Sequence, residues 1–173
     1  VLYKSRRPPA AGWEIDLITS MGEAIGLHVD RDVDITTAFP TVEMPFLGQK
    51  HYIRARGKLL EMLCDHYGIS HGEGQGKCWE LKKNLYGFPT AGDNFDDHIR
   101  RHLEIYGFIL VCEAVSVHIW ILVPAEKRAE RNWSLADVMA LLVKYVDDCR
   151  WKSRTIQIAD DISTYLQSVY GEF

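Results

Sequence analysis

From Val138 to Val146 every residue except Lys144 is apolar or aromatic, and the run leads directly into two aspartates, Asp147 and Asp148. A segment with no polar alternation reads as a buried strand, because a strand with one wet face carries polar side chains at every second place. The acidic pair then occupies a turn. Beyond it Cys149-Arg150-Trp151-Lys152-Ser153 alternates, as a half-exposed strand does. Any fold for this chain must accommodate that strand-turn-strand unit.

The remaining pattern supplies its neighbours. Leu17, Ile18, Met21, Ala24 and Ile25 recur at helical spacing between Trp13 and Ile25. His28 to Ile35 alternates charged and apolar residues, with Val29, Val33 and Ile35 on one side, which is a strand pattern. Leu59 to Tyr67 predicts a short helix stopped by Gly68, and Ser70 to Gly76 reads as a glycine-rich loop. Cys78 to Leu81 reads as a short strand. Phe95, Ile99, Leu103 and Tyr106 predict an amphipathic helix ending at Gly107. Ile109 to Val123 reads as two strands with a break near Glu113-Ala114, and Pro124 to Ser134 as a charged loop. Ile158, Ile162, Tyr165, Leu166 and Val169 mark a C-terminal helix. Pro8-Pro9 forbids helix in residues 1–11, which read as an extended N-terminal arm. The element order predicts an α+β domain over residues 12–173: an antiparallel sheet with helices packed on one face.

Composition narrows the class. With 47% hydrophobic and 25% charged residues the 173-residue chain has the make-up of one globular domain. The absence of a long apolar run or signal segment predicts an intracellular protein, cytoplasmic or nuclear, neither secreted nor membrane-bound. Cys64, Cys78, Cys112 and Cys149 form no close pair, as expected of reduced thiols. The formal charge of -4 runs against nucleic-acid binding, which needs a basic surface.

Two acidic positions close predicted strands: Asp34, and the pair Asp147-Asp148. An acidic pair in a turn is ordinary turn chemistry, and Asp96-Asp97 and Asp160-Asp161 read as helix surface. What distinguishes Asp147-Asp148 is the apolar strand leading into it. Carboxylates on neighbouring strands suit nucleotidyl transfer by two metals, where converging acids hold two divalent ions about 4 Å apart. Oxygen ligands favour Mg²⁺.

Four segments then carry a resemblance. Asp34-x-x-x-Ala38-Phe39, Leu81-Lys82-Lys83-Asn84-Leu85-Tyr86-Gly87, Tyr106-Gly107-Phe108, and Leu141-Leu142-Val143 followed by Tyr145-Val146-Asp147-Asp148 (with Lys144 extra) stand in one order. In that order they resemble the polymerase motifs of copia-type retrotransposon reverse transcriptases. The resemblance covers roughly residues 15–153 and implies a polymerase palm, with fingers largely missing and no thumb, ribonuclease H or integrase region. It implies RNA-directed DNA polymerase activity, with Asp34, Asp147 and Asp148 catalytic and Asp34 and Asp147 holding two Mg²⁺ ions. Phe39 would be the steric gate against a ribose 2′-hydroxyl. Tyr86, Gly87 and Tyr145 would line the nucleotide site, and Lys82 and Lys83 would meet phosphate. An RNA template, a DNA primer and deoxynucleotides are the implied partners.

The chain departs from the family pattern at Pro89, Thr90 and Asp93, where basic residues and a Gln are usual. An acid in a template groove repels phosphate. These departures support an alternative: a domesticated, non-catalytic palm acting as a scaffold with protein partners, for which Trp13, Trp133 and Trp151 offer exposed aromatic contacts. A zinc site from Cys64, His66, His71 and Cys78 matches no common spacing. An RNA-binding module would need paired aromatics on adjacent strands, and only Tyr145 and Trp120 suggest any.

Overall fold

The computed structural model describes residues 16, 20–36, 38–43, 50–88, 90–113 and 117–171. The chain runs β1 (Val29–Asp34), α1 (Ala38–Thr41), β2 (Tyr52–Ile53), α2 (Gly57–Tyr67), α3 (His71–Gly74), β3 (Trp79–Glu80) and α4 (Ala91–Tyr106). It continues through β4 (Phe108–Glu113), β5 (His118–Leu122), α5 (Ala125–Glu130), a 3₁₀ turn (Leu135–Asp137), β6 (Ala140–Tyr145), β7 (Asp148–Ser153) and α6 (Ile156–Tyr170).

Strands β1-β7-β6-β5-β4, in that order, form one sheet, and each neighbouring pair is antiparallel. The apolar run is therefore the central strand. Phe95, Ile99 and Leu103 of α4 and Ile162, Leu166 and Tyr170 of α6 pack on one face, against Val33, Trp120, Leu142 and Trp151. This is the α+β layering that the alternation of strand and helix periods predicts. The opposite face has an apolar layer of its own, in which Ile121, Leu141 and Val143 meet Leu27 and Ile25. That second layer explains why β6 lacks alternation: both of its faces are covered. Leu27 follows a helical stretch at 20–24, the described part of the helix expected over 13–25.

Residues 51–81 form a smaller unit. Strands β2 and β3 pair antiparallel, and Ala55, Leu60 and Cys64 make a separate cluster with Leu63, Ile69 and Trp79.

Several local expectations are corrected. The segment 124–134 contains α5, whose residues are all at least partly exposed, so it has no apolar periodicity to betray it. The loop 70–76 contains α3, held by a capping box in which Ser70 N donates to Glu73 Oε2 at 2.9 Å and Glu73 N to Ser70 Oγ at 3.3 Å. Asp148 opens β7 instead of occupying the turn. Strand β7 is largely buried, not half-exposed. Its Cys149 and Trp151 face the helices. On the other face Lys152 is buried and binds Glu23 at 2.9 Å, while the partly exposed Arg150 binds Asp30 at 3.1 and 2.6 Å. Trp151 is thus core, whereas Trp133 is exposed; Trp13 and the arm 1–11 lie outside the described residues. Asp96 is also buried, not helix surface: it pairs with the fully buried Lys144.

Candidate functional site

The register of β1 on β7 decides which acids meet. Asp34 is the direct antiparallel partner of Asp148, and Asp148 is also the partner of Tyr145 across the β6–β7 hairpin. Directly opposed residues project to the same side with Cβ atoms about 5 Å apart. Because Val33, Ile35 and Cys149 are in the helix-side core, Asp34 and Asp148 lie on the other face.

The hairpin turn is Val146-Asp147. Val146 has φ 52°, a left-handed conformation that its β-branched side chain disfavours. Ile35 N donates to Asp147 O at 3.1 Å, fastening the turn to the end of β1. The β6–β7 and β1–β7 pairings and this bond hold Val146 in the positive-φ conformation that tight two-residue hairpin turns use at their first position.

Electrostatics register the crowding. Partial burial pushes the Asp148 carboxyl above the usual aspartate range, and Asp147, Asp34 and Asp32 push it further the same way. Asp32 belongs to this acidic corner although the motifs passed over it. Its signal is the period-two series Asp30, Asp32, Asp34 along β1. Asp30, furthest from the turn, is neutralised by Arg150, which holds its carboxyl below the usual range.

A second group of expected residues lies along the chain from α1 to the start of α4. The Phe39 ring sits edge-on to Tyr86 at 4.9 Å and to Phe95 at 5.9 Å, so it touches both the core and an exposed aromatic. Tyr86 and Gly87 are the central residues of a turn closed by Phe88 N donating to Leu85 O at 3.0 Å. Gly87 has φ 81°, which a type II turn requires at this place. Buried Asn84, not anticipated from the sequence, fixes the segment: its backbone and side-chain nitrogens each donate to Val42 O at 3.2 Å, and its Oδ1 accepts from Asn94 at 2.9 Å. Lys82 pairs with Glu80 at 2.9 Å, and Lys83 bridges to Glu43 through backbone. Tyr145 is half-buried against the second apolar layer. Asp93 stands in the first turn of α4, where a carboxylate complements the helix dipole. Pro89 lies outside the described residues.

The donor set of the acidic corner, carboxylate oxygens carrying mutual repulsion, suits a hard divalent cation. Among the described residues, however, no three His, Cys, Asp or Glu side chains stand at metal-holding spacing. That covers both the corner and the Cys64, His66, His71 and Cys78 set, of which Cys64 is core and Cys78 exposed. Trp120 is fully buried, so it offers no stacking surface. Among the described residues no helix is long and apolar enough to cross a membrane. The chain matches no protein-family model, no curated protein and no solved structure.

Proposed function

We propose that this domain is the palm of a copia-type reverse transcriptase and that its chemistry is RNA-directed DNA synthesis. The observation that carries the reading is the β1–β7 register, which sets Asp34 against Asp148 with Asp147 in the adjoining turn. Acids more than 110 residues apart in sequence thereby share one corner, which supports that reading.

In this reading Asp34 and Asp147 hold two Mg²⁺ ions, with Asp148 as the third acid. The ions, when bound, activate a primer 3′-hydroxyl and offset charge on the departing pyrophosphate. The chain's own part is positional. The β1–β7 pairing sets Asp34 and Asp148 on one side of the sheet, and these carboxylates with Asp147 are the residues that would hold the ions. Phe39, braced by Tyr86 and Phe95, presents a ring that rejects a 2′-hydroxyl by overlap, so deoxynucleotides are preferred. An RNA template and DNA primer would approach the acidic corner at the exposed ends of β1 and β7, since the rest of the face opposite α4 and α6 is covered.

A second reading, a non-catalytic palm serving as a scaffold, draws on Pro89, Thr90 and Asp93, where the family pattern has basic residues and a Gln, and on the net charge of -4. Primer extension on an RNA template with Mg²⁺ separates the two. The expected outcome is extension by the wild type and a loss of at least about 10²-fold in Asp147→Asn with the fold intact by circular dichroism. Equal inertness of two folded proteins would establish the scaffold instead.

A further inference from the structure

The smaller β2–β3 unit holds a cavity of about 300 Å³, lined by Arg54, Ala55, Arg56, Leu60, His71 and Gln75 with the backbones of Gly57 and Gly76. That volume is at the lower end for small-molecule sites, enough for a phosphoryl group carrying a modest substituent. Its lining contains no acidic residue. Among the described residues neither Arg54 nor Arg56 makes an ion pair or a side-chain hydrogen bond, whereas Lys50, Lys58 and Lys82 of the same region each pair with a glutamate. Both guanidiniums are exposed at one concavity, and a planar fork suits phosphate oxygens. They stand out further in a chain of net charge -4.

The backbone adds to the charge. Arg56 is the N-cap of α2, extended at φ -142° and ψ 158°, and gives that helix no side-chain cap; the first turn of α2 has no acidic residue. The first N–H groups of α2 therefore keep their bonding capacity beside the guanidiniums. His71 and Gln75, on and just beyond α3, contribute further polar groups, while Ala55 and Leu60 supply an apolar floor.

We propose that this cavity is a phosphate-binding site for a small phosphomonoester, separate from the acidic corner and independent of the polymerase reading. Arg54 and Arg56 grip the phosphoryl oxygens, and the Gly57 backbone at the opening of α2 completes the cradle.

The test is calorimetric titration of the full chain with inorganic phosphate and, in a second arm, with a nucleoside 5′-monophosphate, in buffer free of other polyvalent anions. The same titrations are run on Arg54→Gln/Arg56→Gln, whose exposed positions leave the fold unaffected by circular dichroism. Saturable one-to-one binding by the wild type, weakened at least tenfold in the double variant, is expected. Equal affinity in the two arms assigns recognition to the phosphoryl group alone, and tighter nucleotide binding assigns added contacts to the nucleoside. Absence of saturable binding in both arms, or equal binding by the double variant, overturns the proposal. A failed primer-extension assay leaves it untouched, because none of these residues belongs to the acidic corner.

Discussion

Asp148 illustrates how a single side chain reports on its surroundings. Its carboxyl is held above the ordinary range by partial burial and by three neighbouring aspartates. Since the folded value lies above the unfolded one, the folded chain binds more protons between those values, and stability falls as pH rises through that window. Asp148→Asn removes the penalty. The variant should melt higher than wild type at neutral pH, by about 1–3 °C given the solvent exposure, and the gap should close below about pH 3. Thermal melts across that range check it; a gap independent of pH would mean that Asp148 feels no such repulsion. Candidate acids such as Asp34 and Asp147 were legible in the sequence because each closes a strand pattern. Asp96 was not: it looks like one half of a surface dipeptide, and only the fold reveals that Lys144, itself the odd residue in an apolar strand, reaches it. The unexplained Lys144 was the clue.

Elements with one wet and one dry face were readable, as was the wholly apolar β6, whereas α5, with no dry face, was missed. Helix α4 shows its apolar stripe at Phe95, Ile99 and Leu103, and its end is fixed by Gly107 at φ 117°. Helix α5 buries nothing fully and so left no stripe, yet its Arg128 donates a hydrogen bond to Gly107 O and anchors the α4 terminus. A Cβ at residue 107 would collide with the Arg128 guanidinium, besides straining the backbone. Gly107→Ala is therefore expected to destabilise by about 1–3 kcal/mol, combining left-handed strain with loss of that bond. Chemical denaturation measures it; a change within experimental error would show that the α4–α5 joint is not held this way. The alternation of β7 misled for a related reason. Lys152 looks solvent-facing but is buried in an ion pair with Glu23, and Arg150 is partly withdrawn from water by its pair with Asp30.

At the scale of the whole molecule, long-range pairing makes both the core and the corner, and pairing is what local patterns hide. No periodicity indicates that β1, near the start, docks on β7, near the end; the ordered motifs suggested the meeting, and the register supplies it. The same non-local logic governs the Lys144–Asp96 pair, which fastens the central strand to α4 with the Lys144 ammonium over the Phe95 ring at 5.7 Å. Removing one partner strands a buried charge. Lys144→Ala should cost about 3–5 kcal/mol, whereas the apolar pair Lys144→Met/Asp96→Leu should cost markedly less. Urea unfolding of both variants decides it, and a double variant as unstable as the single would refute the paired-charge account.

Strand β1 forms one margin of the five-stranded sheet, with β7 as its neighbour on the inner side. Its terminal aspartate consequently looks out from a rim and not from a pit. Under the proposed function, a place at the sheet's margin suits a substrate that must advance past the carboxylates between one step and the next.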